Sequence, residues 1–265
     1  MTSVLTTPPN PALSRTQNRA AGSATGRLVR TELRLVVRDP MVLSFVLVFP
    51  VLTMLIIGGS FGTEADPVFA GQNPAHWYVA SYFTVIIGAT GLIMLPVHIA
   101  SYRELGILRR FAVAGFPRWS FAVAELVLGL TCFVVSAVLL LAVAWPVYGI
   151  PAVNDPLRVV VGTLAGAVAF IALGVLLGTV LHSARAAQAV GLTLFFPSFL
   201  LGVGGPPPGA MSERLATVSE YLPLAVVTNA VREPWLGLSD GTGPLIATVA
   251  MAAVSLVLAA RRTAL

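Results

Sequence analysis

Along this chain, long apolar runs alternate with short polar breaks, and the runs have lengths that suit a bilayer. A hydrocarbon core about 30 Å thick needs roughly 20 apolar residues in helical form. Six stretches reach or approach that length: 41–61, 79–100, 120–144, 157–181, 186–204 and 244–260. The fifth contains Pro197, which lacks a backbone donor and predicts a kink or break. Two more stretches have helical spacing but keep a polar face. In TGRLVRTELRLVVRDP, Arg27, Arg30, Arg34 and Arg38 recur every three or four residues, with Leu28, Val29, Leu33, Val36 and Val37 filling the other face. That is a basic amphipathic helix suited to an anionic leaflet, closed by Asp39-Pro40. In AMSERLATVSEYL, Met211, Leu215, Val218 and Leu222 form a stripe opposite Ser212, Glu213, Arg214, Ser219 and Glu220. The next segment, LPLAVVTNAV, is apolar but too short to cross, which predicts a re-entrant or interfacial half-helix.

The pattern predicts an all-α integral membrane protein with six transmembrane helices. An N-terminal amphipathic interfacial helix precedes them, and a re-entrant, amphipathic segment precedes the last. Residues 1–24, rich in Pro, Thr, Ser and Asn and without an apolar core, read as a disordered cytoplasmic tail, and 25–262 as one six-span transmembrane domain. Composition supports the class: 57% of residues are hydrophobic and 10% charged, far from a soluble domain. A pI of about 10.1 would also suit a nucleic-acid binder. The arginines flank apolar runs instead of forming a solvated basic face, so nucleic acid is rejected as a partner. Cys132, the only cysteine, lies within a run and reads as a small packing residue.

Charge also sets the orientation. With both termini inside, thirteen of the sixteen arginines fall in inner segments, and Arg158, Arg214 and Arg232 fall outside. By the positive-inside rule both termini are cytoplasmic. Trp77, Trp145 and Trp235 fall at predicted outer boundaries and Trp119 at an inner one, as headgroup-level rings should.

Energy coupling leaves residue signatures, and most are absent. Cation-driven carriers place carboxylates or histidines near the midplane, yet the middles of the six runs carry no charge. Glu125, near the inner end of the third run, is expected to be structural, paired with neighbouring arginines or snorkelling; His98 and His182 read as interfacial. A phosphate-binding loop needs a lysine, and the chain contains none. Any ATP chemistry must come from a partner.

Ser101–Arg118 forms a loop at the inner side between the second and third runs. In ELGILRRFAVAG, Leu105, Leu108, Phe111 and Ala112 share a helical face, leaving Arg103, Arg110 and Arg118 to be solvated or paired. A short amphipathic helix of this kind can dock in a groove on a soluble partner.

These motifs resemble those of permease subunits of type-2 ABC exporters, in the daunorubicin-resistance-like drug-exporting branch. Arg103-Glu104-Leu105-Gly106-Ile107-Leu108-Arg109-Arg110-Phe111 is similar to the R-E-x-G-(T/I)-L-(K/R)-R-(L/F) segment of that family. Pro206–Pro208, Met211–Tyr221, Pro223-Leu224 and Arg232 resemble its segment before the last span. The resemblance implies that 103–111 is a cytoplasmic coupling helix touching a separate ABC ATPase, which binds ATP and magnesium, while this chain is non-catalytic and binds no cofactor or metal. It implies a second permease copy, expected to make a homodimer, in the plasma membrane; the Ala-, Val- and Gly-rich, lysine-free composition suggests a high-GC bacterium. Gly162-x-x-x-Gly166 and Gly174-x-x-x-Gly178 are expected to pack within one subunit. The expected cargo is an apolar or amphipathic drug or secondary metabolite. Polysaccharide or lipid-linked glycan export is the rival within the family; a cation-coupled carrier and a non-transporting scaffold are rivals outside it.

Overall fold

A computed structural model of the protein describes residues 26–113 and 118–263. The expected tail at 1–24 and the segment 114–117 lie outside the described residues. A helix over 26–36 comes first. Six helices long and apolar enough to cross a membrane follow: Pro40–Ser60, Pro74–Glu104, Val123–Tyr148 (within a helix Arg118–Tyr148), Pro156–Val180, Ala184–Gly202 and Thr242–Arg262. Short helices Ile107–Val113, Glu213–Glu220 and Pro223–Leu236 complete the bundle.

Sequence chemistry explains where the spans begin. Asp39-Pro40, Asn73-Pro74 and Asp155-Pro156 each put an Asx side chain at the N-cap and proline at the first helical position. Asp39 Oδ1 accepts the Met41 amide at 2.8 Å, Asn73 Oδ1 the Ala75 amide at 2.8 Å and Asp155 Oδ1 the Arg158 amide at 3.1 Å. The cap satisfies an orphan donor and proline occupies the one position where its missing N–H costs nothing. The Asn73 cap is why the second span starts at Pro74 and not at 79.

Pro50 and Pro96 lie inside spans, each one residue beyond the residue that follows a π-helical turn, Leu43–Val48 and Ala89–Met94. A proline within a helix clashes with the carbonyl four residues back and denies it a donor. Here those carbonyls belong to Val46 and Leu92, and the wider π turn relieves the clash. By contrast, the fifth span runs unbroken through Pro197, where a break was the alternative expected.

The second span is the axis of the bundle, with 83% of its most apolar window buried against 22% for the sixth. It packs on spans one, three, four and five and on the half-helix Pro223–Leu236. That half-helix has 14 residues, about 21 Å at 1.5 Å per residue, too short to cross. It is held among spans two, four, five and six. Close approach there depends on the fourth-span glycines. A Cβ built at Gly162 or Gly166 would lie 2.7 Å from Ala230 O or 2.4 Å from Val227 Cγ1, and one at Gly174 or Gly178 2.5 Å from Gly91 O or 2.6 Å from Ile99 Cβ. All four therefore face elements of the same chain.

At the end opposite the termini, two expected headgroup tryptophans turn out to be packing residues. Trp77 and Trp235 are 6% and 4% exposed, whereas Trp145, at 72%, fits the interface reading. Trp235 is drawn in because its Nε1 donates to Pro151 O at 3.2 Å, and Trp77 because the Arg232 guanidinium stacks on its ring at 3.8 Å. Outside the spans, hydrogen bonds from Thr242 and the nearby Arg158 hold the Asp240 carboxyl below its ordinary range.

Gly174→Ala places a methyl group against the Gly91 carbonyl, a backbone atom that cannot step aside. Overpacking of this kind costs about 1–3 kcal/mol. The variant is expected to lower the thermal unfolding midpoint in detergent, while Gly243→Ala, with nothing within 4 Å, leaves it unchanged.

Candidate functional site

The segment singled out by its charge sits where the second span leaves the bundle. Arg103 and Glu104, the last two residues of that helix, both reach the turn between spans four and five. Arg103 Nη1 donates to the carbonyls of Thr179, Leu181 (3.2 Å) and Gly178 (3.4 Å). Those carbonyls end the fourth span and have no partner within their own helix, and a cation there also complements the helix dipole. Glu104 Oε2 accepts the amide of Ala184 at 3.1 Å, the first residue of the fifth span, beside Ser183 Oγ, which accepts from Ala186 at 3.2 Å. A carboxylate at a helix N-terminus is the mirror-image solution. Two adjacent side chains thus close both ends of one tight turn.

Beyond Glu104 the chain turns sharply. Gly106 adopts φ 67°, a left-handed conformation at which a side chain would be strained, and the helix Ile107–Val113 starts anew. The single amphipathic helix expected from Glu104 onward is therefore split. Leu105 lies in the turn, 66% exposed, and does not share the helical face of Leu108. Arg110 is exposed and Val113 is 91% exposed. The backbone at Arg109 and Phe111 is helical; their side chains, and that of Arg118, lie outside the described residues. A cavity of about 300 Å³ lined by Arg103, Gly106, Leu108 and His182 opens beside the turn.

The helix over 26–36 lies at the same end. Arg27, Arg30, Arg34 and Arg38 are all exposed, as their spacing predicts. Its buried stripe differs from the expected one. Leu28, Glu32 and Val36, four residues apart, face inward, while Val37 is 68% exposed. The inward position of Glu32 has a cause in the neighbouring spans. Glu32 Oε2 accepts from Tyr102 Oη at 2.7 Å and lies 3.0 Å from His98 Nε2. Glu125 Oε1 lies 3.6 Å from that nitrogen. For Glu125 the expectation is pairing with arginines or snorkelling; among the described residues its charged neighbour is His98, and it is fully buried, so it does not snorkel. Glu32 is the residue that sequence reasoning missed. Its signal, a carboxylate midway along an i, i+4 stripe between Leu28 and Val36, was hidden by the stronger arginine periodicity.

A family model described as ABC-2 family transporter protein matches residues 60–261, most of the chain. The chain belongs to the ABC-2 transporter family. It is accordingly a membrane permease of an ABC transporter. No curated protein and no solved structure matches it. The ABC-2 match covers the Arg103–Glu104 clamp, the Gly106 turn and the half-helix, but begins after the helix over 26–36.

Glu104→Gln keeps an acceptor and loses the charge; Glu104→Ala loses both. Loss of a helix N-terminal acceptor costs about 1 kcal/mol, or roughly fivefold in a local opening equilibrium. Hydrogen exchange at the start of the fifth span is expected to speed up by about that factor in Glu104→Ala and by less in Glu104→Gln. Equal exchange in all three proteins would show that the clamp contributes nothing.

Proposed function

We propose that this permease is the membrane half of an ATP-driven exporter, worked from the cytoplasm by a separate ABC ATPase through the Arg103–Phe111 segment. The observation carrying this reading is the clamp. A force applied to the exposed turn at Leu105–Gly106 has a short, hydrogen-bonded route through Arg103 and Glu104 to the ends of the fourth and fifth spans. The apolar surface for such a contact is available, since Leu105 and Val113 are exposed beside Arg110. ATP and magnesium belong to the partner, because a chain without lysine has no phosphate-binding loop of its own.

The orientation follows the arginines, with both termini and the clamp in the cytoplasm of a bacterial plasma membrane. Two permease copies and two ATPase subunits form the working assembly. The favoured cargo is an apolar or amphipathic small molecule, in keeping with the drug-exporting branch. In support, Phe49 on the first span meets Phe195, Phe196 and Phe199 on the fifth at 6.0, 6.3 and 5.2 Å, and Phe196 is 37% exposed. These rings offer apolar surface and no hydroxyl partners for a sugar.

Leu105→Glu and Val113→Glu place charge on the exposed face without touching the clamp. Both variants are expected to reach the membrane at normal levels and to lose ATPase association and ATP-dependent efflux by tenfold or more. Wild-type association in both would refute the docking surface. For orientation, a Leu105→Cys variant is expected to resist an impermeant thiol reagent in intact cells and to react in inverted vesicles.

A further inference from the structure

Three titratable side chains from three separate elements meet in the interior at the arginine-rich end. Glu32 comes from the helix over 26–36, His98 from the second span and Glu125 from the third. The Glu32 and Glu125 side chains are 2% and 0% exposed, and among the described residues they are the only buried carboxylates. Glu32 is satisfied by His98 and Tyr102. Among the described residues, neither oxygen of Glu125 has a hydrogen-bond partner.

Among the described residues, the groups facing the cluster are Tyr102 of the second span, Asp39 at the N-cap of the first, and Cys132 two turns along the third. None of these supplies positive charge; the side chain of Arg118, two turns before Glu125, lies outside the described residues. Arg27, Arg30 and Arg34 are exposed on the N-terminal helix, and Arg38 is exposed in the turn after it. With both carboxylates ionised and His98 protonated, the cluster would carry one net negative charge in the interior, which is strongly unfavourable without a counter-charge. One further proton neutralises it. Geometry says where that proton resides. His98 Nε2 is closer to Glu32, at 3.0 Å, and forms the ion pair; Glu125, at 3.6 Å and otherwise unpartnered, is the carboxylic acid. A cavity of about 230 Å³ bordered by Asp39, His98, Ser101 and Tyr102 gives the cluster a way out, and His98 is 14% exposed.

We propose that Glu32, His98 and Glu125 form a proton-binding site that latches the N-terminal helix onto the second and third spans. On release, the Glu125 proton leaves to water through the cavity, and His98 keeps its own. Two carboxylates then face a single imidazolium. Glu32, on the one element of the three outside the bundle, is repelled and its helix loosens. The latch closes when a proton is bound and opens as the pH rises. It depends on neither the cargo nor the ATPase, so its test is separate from theirs.

The test uses the full chain in lipid vesicles with a nitroxide on an Arg34→Cys variant; Cys132 is buried and stays in place. Between about pH 5 and about pH 9, a range above ordinary carboxyl titration (about 4.3) and across that of imidazole (about 6.5), the label is expected to pass from immobile to mobile in one step. In parallel, infrared spectra are expected to show a protonated-carboxyl band that bleaches with the same midpoint. Glu125→Gln, permanently neutral, is expected to lack the band and stay immobile throughout. A label whose mobility does not change with pH, a wild-type spectrum with no bleaching carboxyl band, or an unshifted mobility step in Glu125→Gln would each overturn the proposal. The first two require only the native Glu125, so they decide the matter even if the glutamine variant does not insert.

Discussion

Backbone-to-backbone contact around the second span is the constraint on which the rest of this bundle depends. Helices in lipid gain little from apolar contact alone and associate where small residues allow close packing. Gly174 lets the fourth span sit against the Gly91 carbonyl, and Gly191 lets the fifth sit against that of Leu92, where an added Cβ would be only 2.1 Å away. Pro96 has already stripped the Leu92 carbonyl of its usual donor. The proline, the π turn and the glycine opposite are therefore one arrangement: the carbonyl exposed by the first two lies against the third.

A helix gripped in this way moves with its neighbours. The second span has 31 residues, about 46 Å at 1.5 Å per residue, and so runs the full depth of the bundle. At one end it holds the turn between the fourth and fifth spans through Arg103 and Glu104. At the other, Tyr78 Oη donates to Gly205 O at 2.9 Å and the Trp77 ring receives Arg232. What deformability it has is concentrated in Ala89–Met94, which packs against the π turn of the first span. A displacement at the Gly106 turn therefore has two outlets: rigid motion of spans two, four and five together, or bending where the two π turns meet.

How much of this the sequence disclosed follows from the range of the forces involved. Span positions came through because burial in a bilayer acts on every residue of a 20-residue run, and the observed ends shift mainly where a local cap such as Asn73 adds a turn. The half-helix was legible for the same reason, from its length. Leu105 was misplaced because Gly106 breaks the periodicity, and a glycine's φ is not written in the spacing of its neighbours. Glu32 was missed, and the contact of Glu125 with His98 was not foreseen, because both depend on a histidine at least 27 residues away in sequence. Trp77 and Trp235 look like interface anchors by position alone; only the tertiary structure puts Arg232 over one and Pro151 O beside the other.

Arg232 shows how the far end is tied to this frame. A buried guanidinium ordinarily calls for a carboxylate, but its contacts are the Trp77 ring, Ser81 Oγ at 3.1 Å and Asn229 Oδ1 at 2.6 Å, with Nε unpartnered. Trp77 and Ser81 lie one turn apart on the second span, so the arginine grips the same helix face twice. Thr84, three residues further on, meets Thr228 of the half-helix at 2.6 Å. The contacts run along a single stripe of the second span, and none of them is a strong ion pair. A stripe of ring and hydroxyl contacts keeps the half-helix in register with the second span while allowing small rotations that a carboxylate pair would resist. Between the second span and the half-helix, motion can thus be passed along this stripe without breaking a buried ion pair.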